Sequence, residues 1–217
     1  MTLIDGPRLA PASGAAPDAL VVFLHGYGAD GNDLIDIGRS FAPHLPSVAF
    51  VSPHAPDPCG MSPMGREWFP ISFRDPTEYW RGVQYAAPAL DAFLDAERNR
   101  LQITDDRIVL VGFSQGTMMA LHVGLRRATA PGAIVGYSGM LAGPEHLGEA
   151  IARPPVTLIH GDRDDVIPVQ MMFQAANVLA EKSIPVEFHV CPGTAHGIDQ
   201  RGLMLGLTAI RTALGLR

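Results

Sequence analysis

Short, almost wholly apolar runs recur along this chain. They occur at Ala19–Leu24, Val48–Val51, Ile108–Phe113, Ala133–Tyr137 and residues 156–160. Such runs suit strands buried on both faces of a sheet. Residues 186–190, Val-Glu-Phe-His-Val, read as a last strand. Between the strands lie helical patterns. Residues 34–41 form a short amphipathic segment. In residues 82–101, Val83, Ala87, Leu90, Phe93 and Leu94 recur at helical spacing. Residues 117–127, 169–182 and 199–214 complete the helices. Strand alternating with helix predicts an α/β fold with a mainly parallel sheet covered on both faces. Residues 1–18 are rich in Pro, Ala and Gly, and hold at most a short edge strand or extension around Arg8-Leu9. The rest carries no repeat, linker or low-complexity tract, so 1–217 reads as one domain.

One junction stands out. The run Ile108–Phe113 passes into Gly112-Phe113-Ser114-Gln115-Gly116 and then into an apolar stretch long enough for a helix. Strand, sharp turn with a central Ser, buried helix is the context that a Gly-x-Ser-x-Gly elbow requires. Side chains at 112 and 116 would collide with neighbouring backbone, which explains both glycines. The Ser must adopt a strained conformation held by its flanks. The helix start aims free N–H groups at any negative charge that develops there.

Composition narrows the partners. The 217 residues carry a net charge of −6 with no basic stripe, which argues against nucleic acid. No stretch is long and apolar enough for a membrane span. Residues 1–8 lack the basic and apolar regions of a secretion signal. The only two cysteines, Cys59 and Cys191, lie far apart and suit free thiols in the cytoplasm. No metal-ligand spacing is present, so no metal and no cofactor are expected.

A Ser nucleophile needs a base and a group that orients the base. In parallel sheets such groups gather at the carboxyl ends of strands. Of the eight histidines, His196 alone follows the last strand in a Gly-flanked loop. His25 and His160, beside Gly at strand ends, are expected to brace their loops, and His122 to pack. Asp162, Asp164 and Asp165 follow the strand at 156–160, and spacing does not choose among them. The order Ser, Asp, His is that of α/β-hydrolases. Leu24-His25-Gly26-Tyr27-Gly28 places a Gly-rich loop after an early strand, where a second oxyanion donor belongs. Residues 53–81 form an unusually long connection containing Pro53, Pro56, Pro58, Pro63, Pro70 and Pro76. It also carries Met61, Met64, Trp68, Phe69, Ile71 and Phe73. These suit a preformed wall for a substrate's acyl chain, although Trp68 and Phe69 could equally pack on the core.

These pieces, with Trp68-Phe69, the run from His160 to Pro168 and Gly193-Thr194-Ala195-His196, appear in one order across nearly all of the chain after residue 18. Together they resemble the small serine carboxylesterase, lysophospholipase and acyl-protein thioesterase family of α/β-hydrolases. The resemblance implies a cap-less hydrolase with Ser114, Asp164 and His196 as its triad. It implies Tyr27 and Gln115 N–H groups as oxyanion donors; the substrate path along Met61, Met64, Trp68, Phe69 and Phe73 is read from the apolar content of the long connection. Tyr27 departs from a common Leu, Thr117 from a common Gly and Asp165 from a common Pro. Tyr27 would narrow or polarise the acyl site. Dienelactone hydrolases share the scaffold but carry Cys where this chain has Ser114.

The expected activity is hydrolysis of a small-molecule carboxylic ester through an acyl-serine intermediate, with thioesters, including acyl-proteins, and lysophospholipids as alternatives. A non-catalytic hydrolase-fold binding protein is the rival of a different class. Self-association as a homodimer is left open by the sequence.

Overall fold

The computed structural model describes residues 3–72, 75 and 77–216. In chain order the strands are β1 (Arg8–Leu9), β2 (Ala19–Leu24), β3 (Val48–Val51), β4 (Asp57–Pro58), β5 (Arg66–Glu67), β6 (Ile108–Phe113), β7 (Ala133–Tyr137), β8 (Val156–Gly161) and β9 (Val186–Cys191). The helices are α1 (Gly31–Phe41), α2 (Glu78–Leu101), α3 (Gln115–Gly124), α4 (Gln170–Glu181) and α5 (Gln200–Leu214). The main sheet runs β1-β3-β2-β6-β7-β8-β9. Only β1 is antiparallel to its neighbour. This is the parallel, helix-covered sheet that the apolar runs predict. Among the described residues no helix is long and apolar enough to cross a membrane.

Strand β2 shows why its sequence lacks alternation. Leu20, Val22 and Leu24 enter a core shared with α2, α3 and α4, whereas Ala19, Val21 and Phe23 enter one shared with α1 and α5. All six are fully buried. Each large apolar side chain so placed contributes roughly 1.5–3 kcal/mol. At the other extreme, β9 lies at the sheet edge with Glu187 and Phe188 exposed.

Two stretches differ from the sequence pattern. Helix α2 begins at Glu78 rather than near 82. Its first turn packs Tyr79 and Trp80 on the core, one turn before Val83, and polar bonds add to this: the Glu78 carboxylate accepts from the Ser72 N–H and hydroxyl at 2.8 and 2.7 Å. The connection before it contains a two-stranded ribbon, β4 with β5. Helix α3 ends at Gly124, short of Arg127. Arg127 is buried and donates to Asp95 and Asp105 at 2.6 and 2.7 Å, and also to Asp91. This knot ties α2 to the start of β6, and breaking a buried charge cluster by removing one member is costly.

His25 and His122 are buried and neutral. His25 Nε2 accepts from Ala55 N–H at 3.0 Å, so its proton sits on Nδ1 and is donated to Gly26 O at 2.8 Å. His122 lies edge-on to Trp80, with ring centroids 5.2 Å apart. Burial pushes both rings down from 6.5 to about 4. The unfolded chain therefore takes up protons first, and stability is lost as pH falls from about 6.5 toward about 4. Each ring contributes about 1.4 kcal/mol per pH unit within that window. Urea unfolding at pH 7, 6 and 5 should show the decline. In His122→Gln, the slope should be shallower by about one proton.

Candidate active site

The site sits where β2, β6, β8 and β9 end. β6 delivers Ser114 with φ 54° and ψ −115°, a conformation that non-glycine residues adopt only under constraint. The Ser114 N–H donates to Tyr137 O of β7 at 2.9 Å, which fixes the turn to the sheet. Both glycines are required. A Cβ at 112 would lie 2.4 Å from Gly116 O, and one at 116 would lie 1.8 Å from Leu24 O. Helix α3 starts immediately at Gln115, so its first-turn N–H groups and positive dipole end face Ser114.

His196, in the loop after β9, places Nε2 3.1 Å from Ser114 Oγ and Nδ1 2.8 Å from Asp164 Oδ2. Spacing left three aspartates open, and geometry separates them. Asp162 is exposed and accepts from Gly193 N–H at 2.6 Å. Asp165 is exposed. The Asp164 side chain is fully buried. Its Oδ1 accepts from the Val166 and Ile167 N–H groups at 2.9 and 2.8 Å. Its Oδ2, besides meeting His196, lies 3.1 Å from His160 Nε2. That same His160 N–H donates to Ile167 O at 2.7 Å. His160 thus braces the acid loop, as its strand-end position suggests. Its contact with Asp164 leaves no mark in the sequence beyond a spacing of four residues across the strand end.

The Gly-rich loop after β2 reaches the same place. A Cβ on Gly26 would sit 3.4 Å from Ser114 Cβ, so the Tyr27 backbone borders the serine. The Tyr27 phenol is pushed up by burial, with Cys59 and Glu67 beside it. It stays protonated and neutral at ordinary pH.

The long connection packs against this loop. Gly28 N–H donates to Arg66 O at 2.9 Å, and Arg66 N–H to Ala29 O at 2.7 Å. Arg66 also donates to Ala55 O and Pro56 O. These bonds hold residues 55–66 against the Gly-rich loop. Met61 and Met64 project from that segment, 75% and 91% exposed. Trp68 and Phe69 do not line an open path. Both are 0% exposed, and Trp68 Nε1–H donates to His25 O at 3.0 Å. Their place is the core, the alternative that the sequence had left open. Phe73 lies outside the described residues.

A parallel sheet with a strained serine elbow and a histidine loop after its last strand defines an α/β-hydrolase. The sequence profile of the phospholipase/carboxylesterase family matches residues 10–214, and the chain belongs to that family. It is 28% identical to the esterase YpfH of Escherichia coli, covering 88% of this chain and 82% of the relative. It is 29% identical to acyl-protein thioesterase 1 of Schizosaccharomyces pombe, covering 92% and 93%. The crystal structure of esterase PE8 superposes with a TM-score of 0.94 at 41% identity, over 98% of this chain and 100% of that one. The protein is an enzyme of the carboxylesterase type.

Gly116→Ala tests the elbow. The new methyl would meet backbone rather than a movable side chain. Overpacking of this kind costs at least about 1–3 kcal/mol. The melting temperature should fall by several degrees or soluble protein should be lost, measured beside Gly148→Ala, where the added Cβ meets nothing within 4 Å.

Proposed function

We propose that the protein hydrolyses carboxylic esters of small molecules through an acyl-Ser114 intermediate. The observation that carries this reading is the unbroken chain Ser114 Oγ–His196–Asp164, at 3.1 and 2.8 Å, with the serine held at positive φ. Asp164 accepts a hydrogen bond from Nδ1–H and so holds the tautomer whose Nε2 lone pair faces the hydroxyl. Ser114 Oγ attacks the ester carbonyl carbon while its proton passes to Nε2. The carbonyl oxygen becomes an oxyanion, held by the N–H groups of Tyr27 and Gln115. The tetrahedral species collapses, the bond to the alkoxy oxygen breaks, and His196 returns the proton to the leaving alcohol. Water then attacks the acyl-serine with His196 again as base, releasing the acid and restoring Ser114. The residues supply every proton transfer, so no metal or cofactor enters.

Thioesters are a second substrate class, favoured by the relatives named acyl-protein thioesterase 1. The higher identity to an esterase weighs toward oxygen esters. Two buried free thiols, Cys59 and Cys191, suit a reducing compartment, and the cytoplasm is the proposed location.

Ser114→Ala should abolish turnover of a chromogenic short-chain ester, and a fluorophosphonate should label the wild type at Ser114 alone. Asp164→Asn should cost on the order of 10⁴ in kcat, because the base is then held in the wrong tautomer. Asp162→Asn and Asp165→Asn should cost less than about tenfold. Full turnover in Ser114→Ala, or a greater loss in Asp165→Asn than in Asp164→Asn, would overturn the assignment. A wild type that binds esters without turnover would mark a binding protein instead.

Met61 and Met64 stand on the wall beside the oxyanion loop, and their flexible thioethers suit chains of varied length. For each methylene that loses contact, up to about 0.8 kcal/mol is forfeited, about fourfold in rate. In Met61→Ser and Met64→Ser, kcat/KM should fall progressively from acetate through butyrate and hexanoate to octanoate esters. A uniform loss across the four would remove these residues from the acyl path.

A further inference from the structure

The two proposed oxyanion donors come from the loop after β2 and from the first residue of α3, and the inference rests on their role as proposed. The ladder between β2 and β6 runs as far as Leu24 opposite Gly112. Beyond it, the paths to Tyr27 and Gln115 are no longer paired to each other. Close packing of Gly116 on Leu24 and of Gly26 on Ser114 brings the two segments together; holding their two N–H groups at a set separation takes a further tie, because an oxyanion hole works only when its donors stand in place beforehand.

Residues 68 and 69 run between the two segments. The Gln115 carboxamide binds that segment at two points: its Oε1 accepts from Trp68 N–H at 2.9 Å, and its Nε2–H donates to Phe69 O at 2.8 Å. Gln115 is 1% exposed, so both bonds form away from solvent. On the other side, the Trp68 indole N–H donates to His25 O at 3.0 Å, and its ring lies against the His25 ring with centroids 5.7 Å apart. His25 in turn donates from Nδ1 to Gly26 O, the residue just before Tyr27. The segment cannot retreat. Phe69 is wedged under α2, where a Cβ at Gly82 would come within 2.2 Å of its ring.

We infer that Trp68-Phe69 is a cross-tie that sets the separation of the Tyr27 and Gln115 N–H groups, and that the Gln115 carboxamide and the Trp68 indole are positioning residues for the oxyanion. Neither side chain touches substrate. Gln115 then has two roles, its backbone donating to the oxyanion and its side chain holding that backbone still. Trp68, for which the sequence leaves the acyl wall and the core both open, acts from behind the site.

A purely structural role would lower stability and leave the chemistry of the folded enzyme alone. Trp68→Phe keeps an aromatic ring and removes only the indole N–H and part of the ring system. Gln115→Met keeps the length of the side chain and removes both amide bonds. Each is assayed well below its melting temperature on an acetate ester, with inhibition by an alkyl boronic acid as a second readout. The boronic acid adds to Ser114 and presents a tetrahedral oxygen where the oxyanion forms. Arg127→Leu, far from the serine, serves as the destabilised control and should keep wild-type kcat. Displacing a catalytic group by about 1 Å costs on the order of 10² in rate. The cross-tie predicts a loss in kcat of about tenfold for Trp68→Phe and about 10² for Gln115→Met. KM should stay within about twofold, and boronate affinity should fall in parallel with kcat. Folded variants with wild-type kcat and boronate affinity, or with the whole loss in KM, overturn the cross-tie and leave the triad reading intact. If Gln115→Met does not fold, Trp68→Phe decides alone. A wild type without Ser114-dependent turnover overturns both readings.

Discussion

The close approach of Gly116 to the Leu24 carbonyl governs the upper end of this molecule. It is possible only because β2 and β6 lie side by side in parallel register and because residue 116 has no side chain. The contact sets the direction in which α3 leaves the sheet, and with it the backbone of Ser114 and Gln115. The strain at Ser114 persists because flanking elements hold it, through Tyr137 O on one side and the α3 backbone on the other. A buried apolar framework on both faces of the sheet supplies that rigidity.

Loops do the rest, and polar bonds in dry surroundings hold them. Asp164 keeps its carboxylate among the Val166 and Ile167 amides, His196 and His160. Gln115 spends its carboxamide on the backbone of residues 68 and 69. His25 takes the Ala55 N–H and gives its own proton to Gly26. An unmade bond in any of these places would leave a buried polar group unsatisfied, at about 1–3 kcal/mol each. That penalty selects one arrangement of loops that have little regular structure of their own.

Membership of the phospholipase/carboxylesterase family joins this chain to relatives named for esters and for acyl-proteins. The scaffold does not separate those substrates, since function resides in the site grafted onto the fold. In this chain the loop after β2 carries a neutral Tyr27 phenol near Cys59 and Glu67, and the connection packed on that loop carries two exposed methionines, Met61 and Met64.

Much of this was legible in one dimension. Strands buried on both faces leave unbroken apolar runs, so β2, β3, β6, β7 and β8 could be read directly, and the glycines around Ser114 declared a turn that only they can make. His196 could be singled out because its loop follows the last strand. Asp164 could not be chosen over its neighbours by spacing, since three aspartates in one loop differ only in which carboxylate the fold buries against His196. The first turn of α2 is less distinct in the sequence because its apolar residues, Tyr79 and Trp80, follow directly on a Pro-rich connection, and the Glu78–Ser72 bonds that fix its start join residues whose pairing only the fold decides. Trp68 and Phe69 carried the largest ambiguity. A large aromatic in a Pro-rich loop has the same sequence signature whether it faces a ligand or the core. Burial periodicity is a local property and is written along the chain. The partner of a hydrogen bond, such as the His25 carbonyl that receives the Trp68 indole, is settled only when distant segments meet.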